Sequence, residues 1–288
     1  MDLSIIIVSW NVREKLLTCL NSIFKNLNGL DFEVFVVDNG SSDGSALAVK
    51  KNFPQVKLTE NSKNLGFARA NNLALGRSTG EYILILNPDT EIYADTVQKS
   101  LSCIKTDPQI GALGCKITNA DGSVQPSVRR FPTFCSQLLI LYKLHHFFPR
   151  LGPLRRYFAA DFDYETGAEV DQIMGAFMLL PRKIFTQVGM FDENFYIWFE
   201  EVDLCKRIKA AGFKIYYFPE ATIKHYGGQS FKQLMPLKKR NFFNESLLLY
   251  FRKHHNLLAW LCLAAAQYGS LFLVWLYQFK KVKASDPK

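Results

Sequence analysis

Residues 4–38 read SIIIVSWNVREKLLTCLNSIFKNLNGLDFEVFVVD, and their pattern sets the fold class. Two short β-branched runs, 5–9 and 33–37, enclose a stretch, 14–27, in which Leu16, Leu17, Leu20, Ile23, Phe24 and Leu27 recur at helical spacing. An apolar stripe every three to four residues marks a helix lying on a core, and short β-branched runs mark strands. The unit is therefore βαβ, which implies parallel strands. Further strands are predicted at 56–59 and 82–86, and helices at 45–52, 67–76 and 96–106. This alternation over the first hundred residues predicts an α/β fold with a mostly parallel central sheet, whose ligands sit beyond the carboxyl ends of the strands.

The pattern becomes less regular from residue 110, with a turn at Asn119-Ala120-Asp121-Gly122 and a basic stretch, Arg129-Arg130-Phe131-Pro132. Residues 134–158 are rich in aromatic, leucine and basic side chains, a composition that suits a flap, a membrane-facing surface or an amphipathic helix on the core. A buried strand is predicted at 174–180, a helix at 201–211 with Val202, Cys205 and Ile208 along one face, and an extended segment at 213–218. No repeat or low-complexity linker divides the chain. The expected organisation is a catalytic domain over 1–235 and a C-terminal hydrophobic helical segment over 236–288.

With 288 residues, 48% of them hydrophobic, the chain is long enough to build a large core. Lys and Arg total 35 against 26 Asp and Glu, a formal charge of +9 that favours an anionic partner without naming it. The bases are scattered or lie near apolar segments and no nucleic-acid reading motif appears, so no nucleic acid is expected. Six cysteines stand far apart with no CxxC pair, which argues against a zinc knuckle or a disulfide framework and fits a reducing setting. Asp2 stands where a secretion signal carries bases, and Asn11 and Arg13 break the apolar run, so the N-terminus reads as the first core strand.

Several polar residues fall where this fold places ligands. Asp38 follows the strand 34–37 directly, where a carboxylate can accept hydrogen bonds from a base or ribose, or merely shape the Asn39-Gly40 turn. Asp43 reads as a helix cap. Gly66 stands just before a predicted helix that carries Asn71 and Asn72, so its turn would aim backbone N–H groups at an anion. The strand 82–86 runs into Asn87-Pro88-Asp89; Pro88 cannot join a ladder, so Asp89 is expected as an exposed ligand at the sheet edge, where Mg²⁺ or Mn²⁺ would meet carboxylate and phosphate oxygens. Glu200, Glu201 and Asp203 begin a helix, and capping accounts for one of the three better than for all of them. His225 follows a later strand and, alone, reads as a satisfied polar group.

Taken in order, SIIIVSWN, VVDNGSSDGS, NLGFARANN, LNPDTE, GAFMLLPR, FDENFYIWFEEVDLCKRIKAAG and HYGG closely resemble the inverting glycosyltransferases of family 2, with the GT-A fold, and especially their rhamnosyltransferase-like branch. Each motif is weak, but the ordered set, over about residues 4–230, is specific. The resemblance implies that Asp38 contacts the base of a nucleotide-sugar donor, that Gly66 with Asn71 or Asn72 lines the nucleotide pocket, and that Asp89 and His225 hold a divalent metal, Mg²⁺ or Mn²⁺, on the diphosphate. Glu201 falls on the family's catalytic base, where an Asp is usual. Asn87, Glu200, Asp203 and Arg130 are further active-site candidates. The implied acceptor is a saccharide hydroxyl, lipid-linked, in cell-surface polysaccharide assembly.

A sugar nucleotidyltransferase would need similar strand-edge acids, but also a glycine-rich basic loop after the first strand, where this chain reads Ser9-Trp10-Asn11-Val12-Arg13. A non-catalytic membrane scaffold is the reading that Glu201 in place of Asp would favour. The run 257–277 carries no charge and, at about 1.5 Å per residue, reaches roughly one hydrocarbon thickness. It is expected to span the membrane, to lie on it, or to pack on the catalytic domain. With Arg252, Lys253, Lys280, Lys281 and Lys283 around it, the expected location is the cytoplasmic face of a bacterial membrane.

Overall fold

A computed structural model describes residues 1–228, 233 and 235–285, the side chains of 274 and 276–285 excepted. The chain opens with β1 (Leu3–Ser9), α1 (Arg13–Asn26), β2 (Phe32–Asp38), α2 (Ser45–Asn52), β3 (Lys57–Glu60), α3 (Phe67–Leu75) and β4 (Tyr82–Leu86). It continues through β5 (Thr90–Ile92), α4 (Thr96–Thr106), β6 (Ile110–Thr118), α5 (Phe134–Leu141), a 3-10 turn (Leu144–His146), α6 (Gly152–Tyr157) and β7 (Ala168–Val170). β8 (Phe177–Pro181), α7 (Arg182–Val188), α8 (Glu200–Ala210), β9 (Lys214–His225), α9 (Pro236–His254) and α10 (Leu257–Ser285) complete it.

One sheet runs β3-β2-β1-β4-β8-β6-β9-β5, with β7 added to β9. β3, β2, β1 and β4 are parallel, as the βαβ periodicity predicts. Beyond β4 the sheet is mixed: β8 runs antiparallel to β4, and β9 pairs parallel with β6 but antiparallel with β5. Successive side chains of a strand face opposite sides. Ile5 and Ile7 accordingly join Leu16, Leu20 and Ile23 of α1 in one core, while Ile6 joins Ala68 and Ala74 of α3 in the other. The parallel strands lie between these two cores, which explains why they read as near-continuous apolar runs.

A third core joins the C-terminal helices to the rest of the chain. Leu247, Tyr250 and Phe251 of α9 and Leu263 of α10 pack with Leu141, Phe195, Phe199 and Val202. The segment 236–288 is thus docked, through its described part, on the residues that lead into α8. Residues 134–158 form α5, the 3-10 turn and α6 rather than a single flap, and Tyr142 Oη donates to the Ala266 carbonyl of α10 at 3.0 Å. The run 257–277 is helical within α10, but among the described residues no helix is long and apolar enough to cross a membrane. α10 instead exposes Leu257, Leu258, Leu261, Tyr268 and Phe272.

Candidate active site

The pairing of β4 with β8 runs one residue past Leu86, the Asn87 N–H donating to the Ala176 carbonyl at 3.1 Å, and stops at Pro88, which has no N–H to offer. The chain then turns into β5, whose Thr90 is in register with His225 of β9. The Tyr226 N–H donates to the Asp89 carbonyl at 2.9 Å, which locks that register beside the turn. As a result Asp89 Oδ1 lies 3.2 Å from His225 Nε2. Asp89 is not the exposed edge residue expected from sequence: it is 6% exposed, because β9 closes over it.

The other ring nitrogen of His225, Nδ1, lies 2.6 Å from Gln125 Oε1. Gln125 Nε2 donates to Asn119 Oδ1 at 2.9 Å, which turns Oε1 toward the ring. An N–H at Nδ1 would donate to Gln125 Oε1, and Nε2 is the ring nitrogen that faces the Asp89 carboxylate. A metal-binding histidine is oriented in the same way, by donating its second N–H to an oxygen. Asp89 and His225 therefore fit a divalent cation that takes its remaining ligands from phosphate oxygens. Among the described residues no group of three or more His, Cys, Asp or Glu is gathered for a metal, so two protein ligands are what the site offers.

Asp89, His225 and Asn87 line a cleft of about 460 Å³. Glu200 and Glu201, at the first turn of α8, line it as well. Burial pushes both carboxyls above the ordinary glutamate value, Glu200 the further, and the charge of Glu201 adds to the rise at Glu200. Oε2 of each is buried without a hydrogen-bond partner. Two adjacent carboxyls held in this way do not both ionise easily, so the pair is disposed to keep one proton between them. The αL pair Trp198 (φ 65°) and Phe199 (φ 67°) bends the chain immediately before them. Non-glycine residues at such angles are strained, and here Phe199 is held by the third core.

The remaining candidates divide between cleft and scaffold. Gly66 lines the cleft with φ 86°, and a Cβ there would meet the Tyr196 carbonyl oxygen at 2.4 Å. The Phe67 N–H of α3 donates to that same carbonyl at 2.8 Å, so this N–H is not available to an anion as the Gly-turn reading requires. Asp38 is buried at the end of β2, accepts from the Ser41 N–H at 3.0 Å, and stands behind the cleft residue Asn39; its Oδ1 has no partner. Asn71 and Asn72 do not line the cleft: Asn71 Nδ2 donates to the Phe67 carbonyl, and Asn72 brackets the backbone of Phe191. Arg130 also lies off the cleft, its carbonyl accepting from Gln172 Nε2 at 2.7 Å. Asp203 is wholly buried behind it. Asp43 accepts from the Ser45 and Arg13 N–H groups at the starts of α2 and α1, while the N-cap position of α2 itself is Gly44.

Comparison with known proteins agrees with this geometry. Residues 4–183 match the family described as glycosyl transferase family 2. The chain belongs to glycosyl transferase family 2. An N-acetylglucosaminyl-diphospho-decaprenol L-rhamnosyltransferase of Mycobacterium tuberculosis is 32% identical over 212 residues, covering 68% of this chain and 67% of that protein. Rhamnosyltransferase WbbL of Escherichia coli K12 is 25% identical over 67% of this chain and 70% of its own length. Among solved structures, the Pyrobaculum calidifontis mannosyltransferase PcManGT, in complex with GDP-Man and Mn²⁺, aligns with a TM-score of 0.58 at 18% identity, over 99% of this chain and 76% of that one. The fold is thus that of the family's GT-A members, and the chain is a glycosyltransferase.

The family match ends at residue 183, so it does not reach Glu200, Glu201 or His225. Sequence reasoning also missed part of the cleft wall. Asn39 was read as a turn residue, yet it lines the cleft and its amide clamps Asn64 Oδ1 at 2.9 Å and the Gly66 carbonyl at 3.1 Å. Its position after the first acidic strand end was a usable signal. Lys238 and Phe242 of α9 line the cleft too, Phe242 stacked on Tyr196 at 4.4 Å, and no local pattern announces a wall built from so far along the chain.

Proposed function

We propose that the protein is an inverting, metal-dependent hexosyltransferase that moves a sugar from a nucleoside-diphosphate donor to a hydroxyl of a lipid-linked saccharide at a membrane surface. The observation that carries this reading is the convergence on one cleft of Asp89 and His225, 3.2 Å apart, with buried Glu200 and half-buried Glu201. Asp89 and His225 would hold the cation and, with it, the donor diphosphate. When bound, the cation supplies charge neutralisation for the departing diphosphate. Glu201 accepts the proton of the acceptor hydroxyl, whose oxygen attacks the anomeric carbon while the nucleoside diphosphate leaves from the opposite face. A single in-line displacement inverts the anomeric centre.

The relatives support the finer assignments. Two are named as rhamnosyltransferases, one of them for a diphospho-decaprenol acceptor, and two solved structures of similar fold hold Mn²⁺. Asp38 at the end of β2 is the candidate for the nucleotide base, with Gly66 and Asn39 shaping that end of the cleft. The apolar side chains exposed on α10, with Phe147 and Phe148, suit a helix lying in the plane of a bilayer, and that is how we assign the membrane contact. Lys253, one of the cations flanking this segment in sequence, is used internally, its Nζ 2.8 Å from both Asp192 and Asp203.

The test is transfer by the full chain from a panel of labelled nucleoside-diphosphate sugars to a diphosphate-linked prenyl saccharide, with Mn²⁺ or with EDTA. Metal-dependent transfer with inverted configuration in the product is expected. A product with retained configuration, or no transfer from any donor, overturns the reading.

A further inference from the structure

The loop 192–199 delivers the chain to α8 through two successive αL residues, Trp198 at φ 65° and Phe199 at φ 67°. Bulky side chains rarely adopt that conformation, and it persists only where the surroundings impose it. α9 supplies much of what surrounds this loop. Lys253 Nζ lies 2.8 Å from Asp192 Oδ2 at the start of the loop, and the Phe242 ring stacks on Tyr196 at 4.4 Å. Phe243 packs against both αL rings, 6.1 Å from Trp198 and 5.6 Å from Phe199 between centroids.

One further contact from α9 is made to the loop backbone. Ser246 Oγ donates to the Ile197 carbonyl at 2.7 Å, and Ser246 is 3% exposed. A serine inside a helix commonly bonds back to a carbonyl of the preceding turn, whereas this hydroxyl reaches across to the loop. The peptide that carries the Ile197 carbonyl is planar, and its other end is the Trp198 nitrogen. Holding that carbonyl therefore fixes the plane from which the φ rotation of Trp198 departs. Two residues further on, the Phe199 carbonyl accepts the Asp203 N–H of α8 at 2.8 Å. The strained pair is thus pinned on both sides, by Ser246 before it and by α8 after it. Glu201 stands on that first turn of α8 and lines the cleft.

We infer that Ser246 is a positioning residue for the base: through the Ile197 carbonyl it holds the Trp198–Phe199 turn, and with it the place at which the Glu201 carboxylate meets the acceptor hydroxyl. The inference rests on the assignment of the base to Glu201 made above. It makes α9, which lies beyond the residues 4–183 that match the family, part of what aims the base. A misplacement of about 1 Å can cost roughly 10²-fold in rate, so the hydrogen bond is expected to matter in turnover more than in stability.

The experiment is a double-variant cycle on the full chain, read as kcat and donor KM with Mn²⁺ present. Ser246→Ala, a substitution that suits a helix, should lower kcat about tenfold to a hundredfold and leave donor KM within about twofold. Ser246→Thr, which keeps the hydroxyl, should restore most of the loss. In a Glu201→Gln background Ser246→Ala should cost less than about threefold, because a residue that acts through the base then has little to act on. Thermal melts of each variant control for folding. Wild-type kcat in Ser246→Ala, or an equal loss in both backgrounds, overturns the inference; so does a donor KM that rises in step with the fall in kcat. Failure of the base assignment shows separately, as a Glu201→Gln variant that turns over at the wild-type rate.

Discussion

Asp203 Oδ1 lies 2.7 Å from His254 Nε2, and this contact ties the helix that begins at the cleft to the end of α9. The same carboxylate receives Lys253 Nζ at 2.8 Å and, on its other oxygen, Arg207 Nε at 2.8 Å. Burial opposes its ionisation, but the hydrogen bonds from His254 and Lys253 and the charge of Arg207 outweigh it and hold the carboxyl down at about 2. Asp203 is therefore a brace between α8 and the C-terminal helices rather than a cleft residue.

Replacing that brace should be costly. Asp203→Asn removes the anion from a buried cluster of cations, a change that typically costs about 3–5 kcal/mol. Because the folded-state value lies below the unfolded one, the stabilisation is complete above about pH 4 and is lost as pH falls through about 2. Urea titrations should show the gap between wild type and variant constant near neutrality and closing over that acidic window. A gap that does not change with pH would show that the cluster is not held by charge.

Glu201→Gln should lower turnover by ~10²–10⁴-fold with little change in donor affinity, since a base acts on the acceptor. Glu200→Gln should cost far less, because the base is assigned to Glu201. Burial raises the Glu201 carboxyl above 4.5, and a base works ionised, so kcat should climb with pH through a value above that of an ordinary glutamate. Steady-state kinetics across pH 4–8 would check both points. A collapse of donor binding with turnover intact at saturating donor would assign Glu201 to binding instead.

Gln125 offers a test of the metal pair that leaves both ligands in place. Its carbonyl lies 2.6 Å from His225 Nδ1 and orients the ring, and loss of such a partner typically costs about 10–100-fold in metal affinity. Gln125→Leu is therefore expected to weaken Mn²⁺ binding by that factor, and Asp89→Ala to abolish Mn²⁺-stimulated donor binding. Calorimetric titration of Mn²⁺ in the presence of nucleoside diphosphate reads both. Full Mn²⁺ affinity in Asp89→Ala would remove Asp89 from the site.

The exposed face of α10 predicts a separable membrane phenotype. Leu258 and Leu261 are 70% and 49% exposed, so Leu258→Glu/Leu261→Glu should leave the melting temperature within a few degrees of wild type. Co-sedimentation with anionic vesicles should nonetheless fall, because charges on that face oppose insertion at the interface. Undiminished co-sedimentation would mean that another surface meets the bilayer.

By itself the sequence determined the parallel half of the sheet, the strand end that carries Asp89 and the helix start that carries Glu200 and Glu201. Each of these is written locally, in the apolar period of 5–9, 14–27 and 33–37, in the break imposed by Pro88, and in acids grouped ahead of Val202. Tertiary structure alone decided which of these residues share a cleft. His225 reaches Asp89 only because β5 pairs antiparallel with β9, Thr90 against His225, a register set by closure of the whole sheet. Asn71 and Asn72 look equivalent to Asn39 in sequence, yet α3 turns them to its own backbone and to Phe191, while Asn39, its amide tied to Asn64 and Gly66, sits in the cleft wall. The burial of Asp89, the bracing of Asp203 by His254 and the wall formed by Lys238 and Phe242 likewise depend on segments far apart in the chain. Periodicity reports which face of an element is covered; it carries no information about which distant element covers it.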